Sequence, residues 1–383
     1  GATYTPDDVA AVFDRLGLTA ERSGRVFSVS VGDERADLRI PHDLMEEVVR
    51  IHGLGHVPAT MPRETAPAPA RDLMREGHIA IRDSLIRSGL SEVITYTLSS
   101  PAAHAALGAP TEEPLLSLLN PLTSELTATR RSLLPGLFET LERNLRHTPT
   151  VHVFEHGVVI LPEQEGMDPG LPREVQRVAV VMAGDAEPEA LWSDVRRPVD
   201  LYDVADVVLG IAEDLHINGV RLVQANAAPF QPAACAAVIH EERVIGHLGM
   251  LRDDVAARFG LGGQRVFAAE LDADALVRLR RVEYPAPLPS RYPSVLLDLS
   301  VAVAADVAIG DLVSQAMSAG GNELTDVAVF DIFAGSSMSD GCKAVGLRLT
   351  INAGDRTLTT REAEDVRERA VAQLVEVFGA ERR

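Results

Sequence analysis

Four carboxylates, Asp37, Asp43, Glu46 and Glu47, fall within eleven residues, in the run Asp37-Leu-Arg-Ile-Pro-His-Asp43-Leu-Met-Glu46-Glu47. Hard oxygen donors grouped in this way suit Mg²⁺, which takes one or two carboxylates directly and keeps several waters. The element that must position them is a helix over residues 44–52, ended by Gly53. One helical turn separates Asp43 from both Glu46 and Glu47, so the three reach toward one side. Asp37 lies just upstream on a strand-like run, placed to fold back onto them. The competing reading is a solvated helix start, where acids are favoured by the N-terminal dipole.

Little else in the chain is arranged for chemistry. It has no glycine-rich phosphate loop of the P-loop or dinucleotide-binding type. Arg130 and Arg131 leave two roles open: nucleotide contacts, or buried or interface arginines before a helix, where the planar guanidinium suits carboxylate pairing. His147, His152 and His156 flank strands without acids at a useful spacing and read as surface or satisfied core residues. Cys235 and Cys342 make neither a disulfide framework nor a zinc site, and read as ordinary small residues in a reducing cytoplasm.

At 383 residues the chain is too long for one ordinary core, so two or three domains are expected. A 46% hydrophobic fraction marks it as globular. No apolar run approaches membrane-spanning length, and the acidic N-terminus has no secretory h-region. Gly1 reads as an expression scar or a cut site. A net charge of −20 argues against a general nucleic-acid binder, so any contact with RNA must come from a local patch or a partner chain.

Residues 1–60 are expected to form one small unit. Thr5 is an N-cap with Pro6 at the first helical position, and Val9, Val12, Phe13 and Leu16 keep helical spacing up to Gly17. A strand over 26–31 and the carboxylate helix follow. Helix, strand, helix is winged-helix-like, with its first strand not recognisable. Residues 61–71, within the run Pro58 to Pro69 and just after it, are a stiff extended linker. The second domain, 72–283, begins with a helix over 72–88, then a turn and strand over 89–98. The loop Leu119 to Glu125 leads to Arg130 and to a helix with Leu134, Leu137, Phe138, Leu141 and Leu145 on one face. Strands are expected at 151–154 and 158–161 around a Glu155-His-Gly157 turn, and at 178–182, 236–240, 244–250 and 266–271, with a helix over 200–215. The order lacks βαβ regularity and predicts an antiparallel α+β core. A second proline-rich linker, 285–289, precedes β-α-β-β-α over 295–303, 309–318, 324–333, 344–351 and 360–378. This is the ferredoxin-like order short of a last strand. Thr360 marks the last helix start only loosely, and Val366, Ala370, Leu374 and Val377 form its apolar face.

Read from Arg35 to Gly53, the pattern R-x-D-L-R-I-x-x-D-L-x-E-E-V-x-R-I-x-G resembles the module before the synthetase-like core in the β subunit of bacterial phenylalanyl-tRNA synthetase. The core resembles that family at L-N-P-L-T-x-E (Leu119–Glu125), R-x-S-L-L-P-G-L (Arg130–Leu137) and F-E-x-G (Phe154–Gly157). The tail resembles its ferredoxin-fold anticodon-binding domain at Tyr292–Ser300, Phe330–Gly335 and Arg356–Thr359. The resemblance implies a class II synthetase-like core without catalytic residues, so this chain holds no complete active site and is enzymatic only as a ligase subunit. It implies a magnesium ion at Asp37, Asp43, Glu46 and Glu47 shared with a catalytic α subunit. That subunit binds ATP and phenylalanine, charges tRNA-Phe and assembles with β as α₂β₂ in the cytoplasm. It also implies subunit packing, or a core role, for Asn120, Pro121, Glu125, Arg130 and Arg131. Gly246-His-Leu-Gly249 with Arg252 faintly echoes the class II glycine–arginine motif and otherwise reads as a strand with a turn.

The chain departs from the family pattern in two respects. The N-terminal tRNA-binding fold and editing domain expected of a β chain are missing from this sequence, which reads as a fragment or a short paralogue. Polar family positions are also replaced at Asp203–Asp206, Gln231–Ala236, Leu251–Asp253, Leu296–Asp298 and Cys342–Lys343. Residues 284–383 carry nine Lys and Arg against fourteen Asp and Glu. Phosphate binding needs local positive charge, so weak tRNA contact is expected, left to Arg291, Lys343 and Arg348, each of which also reads as a surface cation. Alternatives to the β-subunit reading are a non-catalytic paralogue that binds a protein partner without tRNA charging, and a small-molecule binder or enzyme using the synthetase-like cleft.

Overall fold

In the computed structural model, residues 1–61, 70–108, 115–162, 171–187, 196–284, 289–335 and 341–383 are described. Most of both expected linkers, residues 62–69 and 285–288, lies outside them. Contacts divide the chain into Gly1–Leu73 and Met74–Arg383.

In the first unit, α1 (Pro6–Arg15) starts at a reciprocal cap: the Thr5 hydroxyl accepts from the Asp8 amide, and the Asp8 carboxylate accepts from the Thr5 amide. Strands β1 (Thr19–Ser23) and β2 (Val26–Ser30) then form an antiparallel hairpin around Gly24, whose φ of 65° favours glycine. The first of these strands escapes sequence reading because Thr-Ala-Glu-Arg-Ser has no apolar alternation; four of its five residues are exposed. Helix α2 (Pro41–His52) begins three residues earlier than expected, with Pro41 in its first turn. Val12, Phe13, Leu18, Leu38 and Val48 are buried between these elements, with Phe27 edge-on to Phe13.

The second unit begins with α3 (Leu73–Arg87), β3 (Ser91–Glu92), β4 (Leu98–Ser99), α4 (Pro101–Ala106), β5 (Ala128–Thr129), α5 (Leu134–Leu145), β6 (Val151–Leu161) and β7 (Arg173–Ala183). It continues with α6 (Leu201–Asp214), β8 (Val220–Gln224), β9 (Phe230–His240), β10 (Arg243–Leu251), α7 (Asp253–Arg258), β11 (Val266–Asp272) and α8 (Ala273–Leu279). Seven strands form one sheet in the order β3-β6-β7-β11-β10-β9-β8, antiparallel throughout except for β3 on β6. Both faces are covered. Along β7, Val178, Val180 and Met182 pack with α3, α6 and α8, while Ala179, Val181 and Ala183 pack with α5 and α7. This two-residue period is the strand's own geometry.

Three features of this unit differ from the sequence expectation. The expected turn at Glu155-His-Gly157 is the middle of one eleven-residue strand, because the Glu155 carboxylate is paired inside the core and need not reach water. The strand expected over 89–98 reduces to β3 and β4, and Ile94 and Tyr96 between them are exposed. The short helices α4, α7 and α8 and the strand β8 were not anticipated, being too brief to show a period.

The C-terminal part comprises β12 (Val295–Ala304), α9 (Ile309–Gly320), β13 (Leu324–Phe333), β14 (Cys342–Ile351), α10 (Thr360–Phe378) and β15 (Glu381–Arg382). The sheet order is β13-β14-β12-β15, all antiparallel, so the last strand of the β-α-β-β-α-β order is present as two residues paired with Val301 and Ala302. Helix α10 is capped by Thr359, one residue before the Thr360 of the sequence reading, with Glu362 reaching back in a capping box. Val366, Ala370 and Leu374 are buried as expected, whereas Val377 is 46% exposed. The protein is thus mixed α+β. Among the described residues no helix is long and apolar enough to cross a membrane.

Candidate functional site

The acidic run is held by its own neighbours. Arg35 grips Asp37 through two nitrogens, Nε to Oδ1 at 3.1 Å and Nη2 to Oδ2 at 2.8 Å, and its Nη2 also lies 3.1 Å from Glu47. From the other side Arg50 donates to both Glu47 oxygens. Asp43 turns back onto the start of α2, one oxygen accepting from the Arg39 and Ile40 amides at 2.6 and 2.9 Å. It reaches from the third helical position back to the amide of Ile40, the residue at the helix N-cap, as in one half of a capping box. Glu46 is exposed. The Arg35 hydrogen bond lowers the Asp37 carboxyl from its ordinary range, the backbone amides lower Asp43, and Arg50 lowers Glu47.

This arrangement welds the Asp37 segment onto α2. It is a weak cation host, because two guanidinium groups already compensate Asp37 and Glu47. Among the described residues no three His, Cys, Asp or Glu side chains are gathered to hold a metal. As they stand, the four carboxylates do not fit a magnesium ion held by this chain alone.

In the second unit the Arg130–Thr97 and Ile160–Arg130 backbone bonds draw the segment before α5 against β6. Arg130 is buried and ends on Glu155, Nη1 to Oε1 at 2.7 Å. It also donates to the Val158 carbonyl at 2.8 Å and to the Thr95 hydroxyl at 2.9 Å. Glu155 accepts from the amide and hydroxyl of Thr95 at 3.2 and 2.6 Å, so the buried pair is hydrogen-bonded on both sides. One residue pair further on, the Glu270 carboxylate accepts from the Ser132 hydroxyl and the Leu133 amide at 2.9 and 2.7 Å, at the start of α5. Desolvation raises its carboxyl above the ordinary range.

Of the residues expected at subunit packing, Arg130 is therefore core, Arg131 is half-buried, and Asn120, Pro121 and Glu125 are exposed. Thr95, Glu155 and Glu270 were missed as functional residues. The F-E-x-G motif was the available signal for Glu155, and its reading as a turn concealed it. Beside this network lies a cleft of about 670 Å³ lined by residues including Thr95, Tyr96, Ser100, Glu125, Ser132 and Glu139.

The three cations expected to meet RNA are not assembled into a patch. Lys343 donates to the carbonyls of Ala305 and Val307 and closes the loop after β12. Arg348 makes a two-nitrogen pair with Asp298 at 2.8 and 2.9 Å and stacks its guanidinium 5.4 Å from the Phe330 ring centre. Five residues apart on β14, Lys343 and Arg348 address opposite faces of the sheet. Arg291 is exposed before β12. Nearby apolar side chains, Leu296 and Phe330, are more than half exposed.

Comparison with known proteins agrees with this order of parts. Residues 1–54 match the tRNA synthetase B5 domain, residues 57–273 the phenylalanyl tRNA synthetase beta chain CLM domain, and residues 290–383 the ferredoxin-fold anticodon binding domain. The chain is a member of the phenylalanyl-tRNA synthetase beta chain family. It is 33% identical to the phenylalanine–tRNA ligase beta subunit of Moorella thermoacetica and 31% identical to that of Bacillus licheniformis, in each case over 99% of this chain and 47% of the relative. The subunit of Geobacter metallireducens is 30% identical over 98% of this chain and 47% of its own length. The chain thus spans about half the length of the curated relatives it matches. A solved structure of pyrrolysyl-tRNA synthetase from Desulfitobacterium hafniense aligns with 72% of this chain and 90% of its own, at 16% identity and a TM-score of 0.41.

Proposed function

We propose that this chain works as the β subunit of phenylalanine–tRNA ligase, or as part of it, supporting a catalytic α subunit in the ATP-dependent charging of tRNA-Phe. The observation that carries the reading is the succession of three family modules in one order along the whole chain. In this reading residues 1–60 are a winged-helix-like module, 61–71 a linker, 72–283 a class II synthetase-like core without its own catalytic residues, and 284–383 the anticodon-binding module. The α subunit binds ATP and phenylalanine, and the assembly is an α₂β₂ heterotetramer of the cytoplasm. Asn120, Pro121 and Glu125, exposed beside a buried Arg130–Glu155 pair, face the partner, with Arg131 behind them.

Magnesium enters this reading only with ligands supplied by the partner, since Arg35, Arg50 and two backbone amides already engage Asp37, Asp43 and Glu47. Contact with tRNA-Phe falls to Arg291 and to Arg348 once freed from Asp298. Lys343 is committed to its loop. The paralogue without tRNA charging is not favoured, because the relatives that match the chain end to end carry the ligase subunit's name. The test is aminoacylation: the α subunit of the same genome is assayed alone and with this chain for phenylalanine-dependent charging of tRNA-Phe. Charging that depends on this chain supports the reading, and a complex with no gain in charging would return it to the paralogue.

A further inference from the structure

Strand β13 is the outermost strand of the C-terminal sheet, and its inner edge is laddered to β14 from Leu324 to Phe333. Among the described residues no backbone hydrogen bond engages its other edge. A ten-residue strand therefore presents a row of amides and carbonyls to solvent, which is a template for one more strand.

The side chains along the end of that edge are apolar on both sides of the sheet. Val329 and Ile332 pair with Leu347 and Val345, which are buried in the core with α9 and α10, so the pleat places them on the helix side. They are nevertheless 36% and 53% exposed. On the open side, Phe330 bulges out of register and lies over Gly346, and Phe333 pairs with Ala344; these rings are 52% and 46% exposed. Isolated exposure of this kind is ordinary, but four apolar residues in five along one unpaired edge mark a contact surface.

Two carboxylates give the edge a charge pattern. Asp326 and Asp331 are exposed, and among the described residues no hydrogen bond or ion pair engages either. Their partners on β14, Thr350 and Gly346, are four residues apart and alternate with the buried Leu349, Leu347 and Val345, so both acids stand on the open side. A strand laid along this edge meets them with two residues four apart on one face, and sets its other face against Val329 and Ile332.

We infer that β13 takes up an extended segment of a partner protein as a further strand, one that carries Lys or Arg at two positions four apart and apolar, β-branched residues on its other face. Backbone pairing supplies the affinity and the alternating side chains supply the selectivity. Charge disfavours a second copy of β13 in this place: two such strands side by side gather four carboxylates on one face, where like charges oppose pairing. The register shifts between Leu324 and Asp326 and between Val329 and Asp331 also bend the strand, which hinders the pairing of two folded sheets, whereas a flexible segment follows the bend.

The test is fluorescence anisotropy of a labelled peptide, Val-Lys-Val-Thr-Val-Lys-Val, whose pattern reads the same in both directions, titrated with this chain. Two variants accompany it, Asp326→Asn/Asp331→Asn and Val329→Lys/Ile332→Lys; all four positions are exposed, and circular dichroism confirms folding. Strand addition predicts saturable binding, at least fivefold weaker in each variant, with slower hydrogen exchange of β13 amides in the complex. Binding no tighter than that of the same residues with the lysines moved to opposite faces overturns the proposal, and so does an affinity unchanged in both variants. Weakening by the Val329→Lys/Ile332→Lys variant alone overturns the basic partner. Self-association of the unaltered chain that this variant abolishes overturns the proposal in favour of a second copy. Protection of the same amides by a single-stranded RNA and not by the peptide overturns it in favour of nucleic acid.

Discussion

Replacing Arg130 by Met places one group in the protein under stress. The Glu155 side chain, 1% exposed, would keep only the amide and hydroxyl of Thr95 as donors, and Val158 and Thr95 would lose a donor to their oxygens. Breaking a buried ion pair from one side costs about 3–5 kcal/mol, because the remaining charge stays in a medium that solvates it poorly. At about 4 kcal/mol the strand around Glu155 should open roughly a thousandfold more often, taking about 1.4 kcal/mol per factor of ten. Glu155→Gln added to Arg130→Met removes the stranded charge while retaining an acceptor for Thr95. That double variant should recover about 2 kcal/mol, a coupling typical of residues in one network. Hydrogen exchange of amides in β6 and β7 is the appropriate assay, since it reads the opening of this sheet regardless of when the rest of the chain unfolds. A change below tenfold in Arg130→Met, or a double variant as unstable as the sum of the singles, would refute the assignment of Arg130 to the core.

Gly77→Ala in α3 should destabilise the second unit by about 1–3 kcal/mol despite alanine's better helix propensity. The new Cβ would lie 2.3 Å from Cγ1 of Val277, and Val277→Ala should recover most of the loss in melting temperature. His104 is buried, desolvation and nearby Arg131 lower it from 6.5 to about 4, and its Nε2 has no hydrogen-bond partner among the described residues. A folded-state value below the unfolded one means the unfolded chain takes the proton first. His104 therefore costs nothing above pH 7 and about 2 kcal/mol by pH 5, with the loss levelling off below pH 4; His104→Gln should flatten denaturation midpoints measured between pH 7 and 5. Asp298→Asn should release Arg348 and steepen the salt dependence of tRNA-Phe binding by about one phosphate contact, read by filter binding, whereas an unaltered slope would turn Arg348 away from RNA.

What could be read from the sequence depended on how local its cause was. Helix α10 and strand β13 were expected with the limits they have, the helix because Ala363, Val366, Ala370 and Leu374 keep a helical spacing and the strand because Val327 to Phe333 is a mostly apolar run rich in β-branched and aromatic residues. Strand β15 was not, since Glu381–Arg382 has no apolar residue and is a strand only because β12 offers an edge. Glu155 was misplaced because a carboxylate in a strand interior makes sense only once Arg130, twenty-five residues earlier, is seen to reach it. The acidic run was legible as four donors, but their spacing did not reveal that Arg35 and Arg50 would reach Asp37 and Glu47 first. The cleft could not be found by pattern: Glu125 belongs to a recognisable motif, but Glu139 does not, and only the fold brings both to the lining of one cleft.

The central claim is that this chain is a partner subunit, and the most direct test is the mass of what it forms. Light scattering should be recorded on the chain, on the α subunit of the same genome, and on their equimolar mixture. The mixture should give a single species containing both chains in equal numbers, heavier than either component alone. Two components eluting at their separate masses, at concentrations well above micromolar, would contradict it.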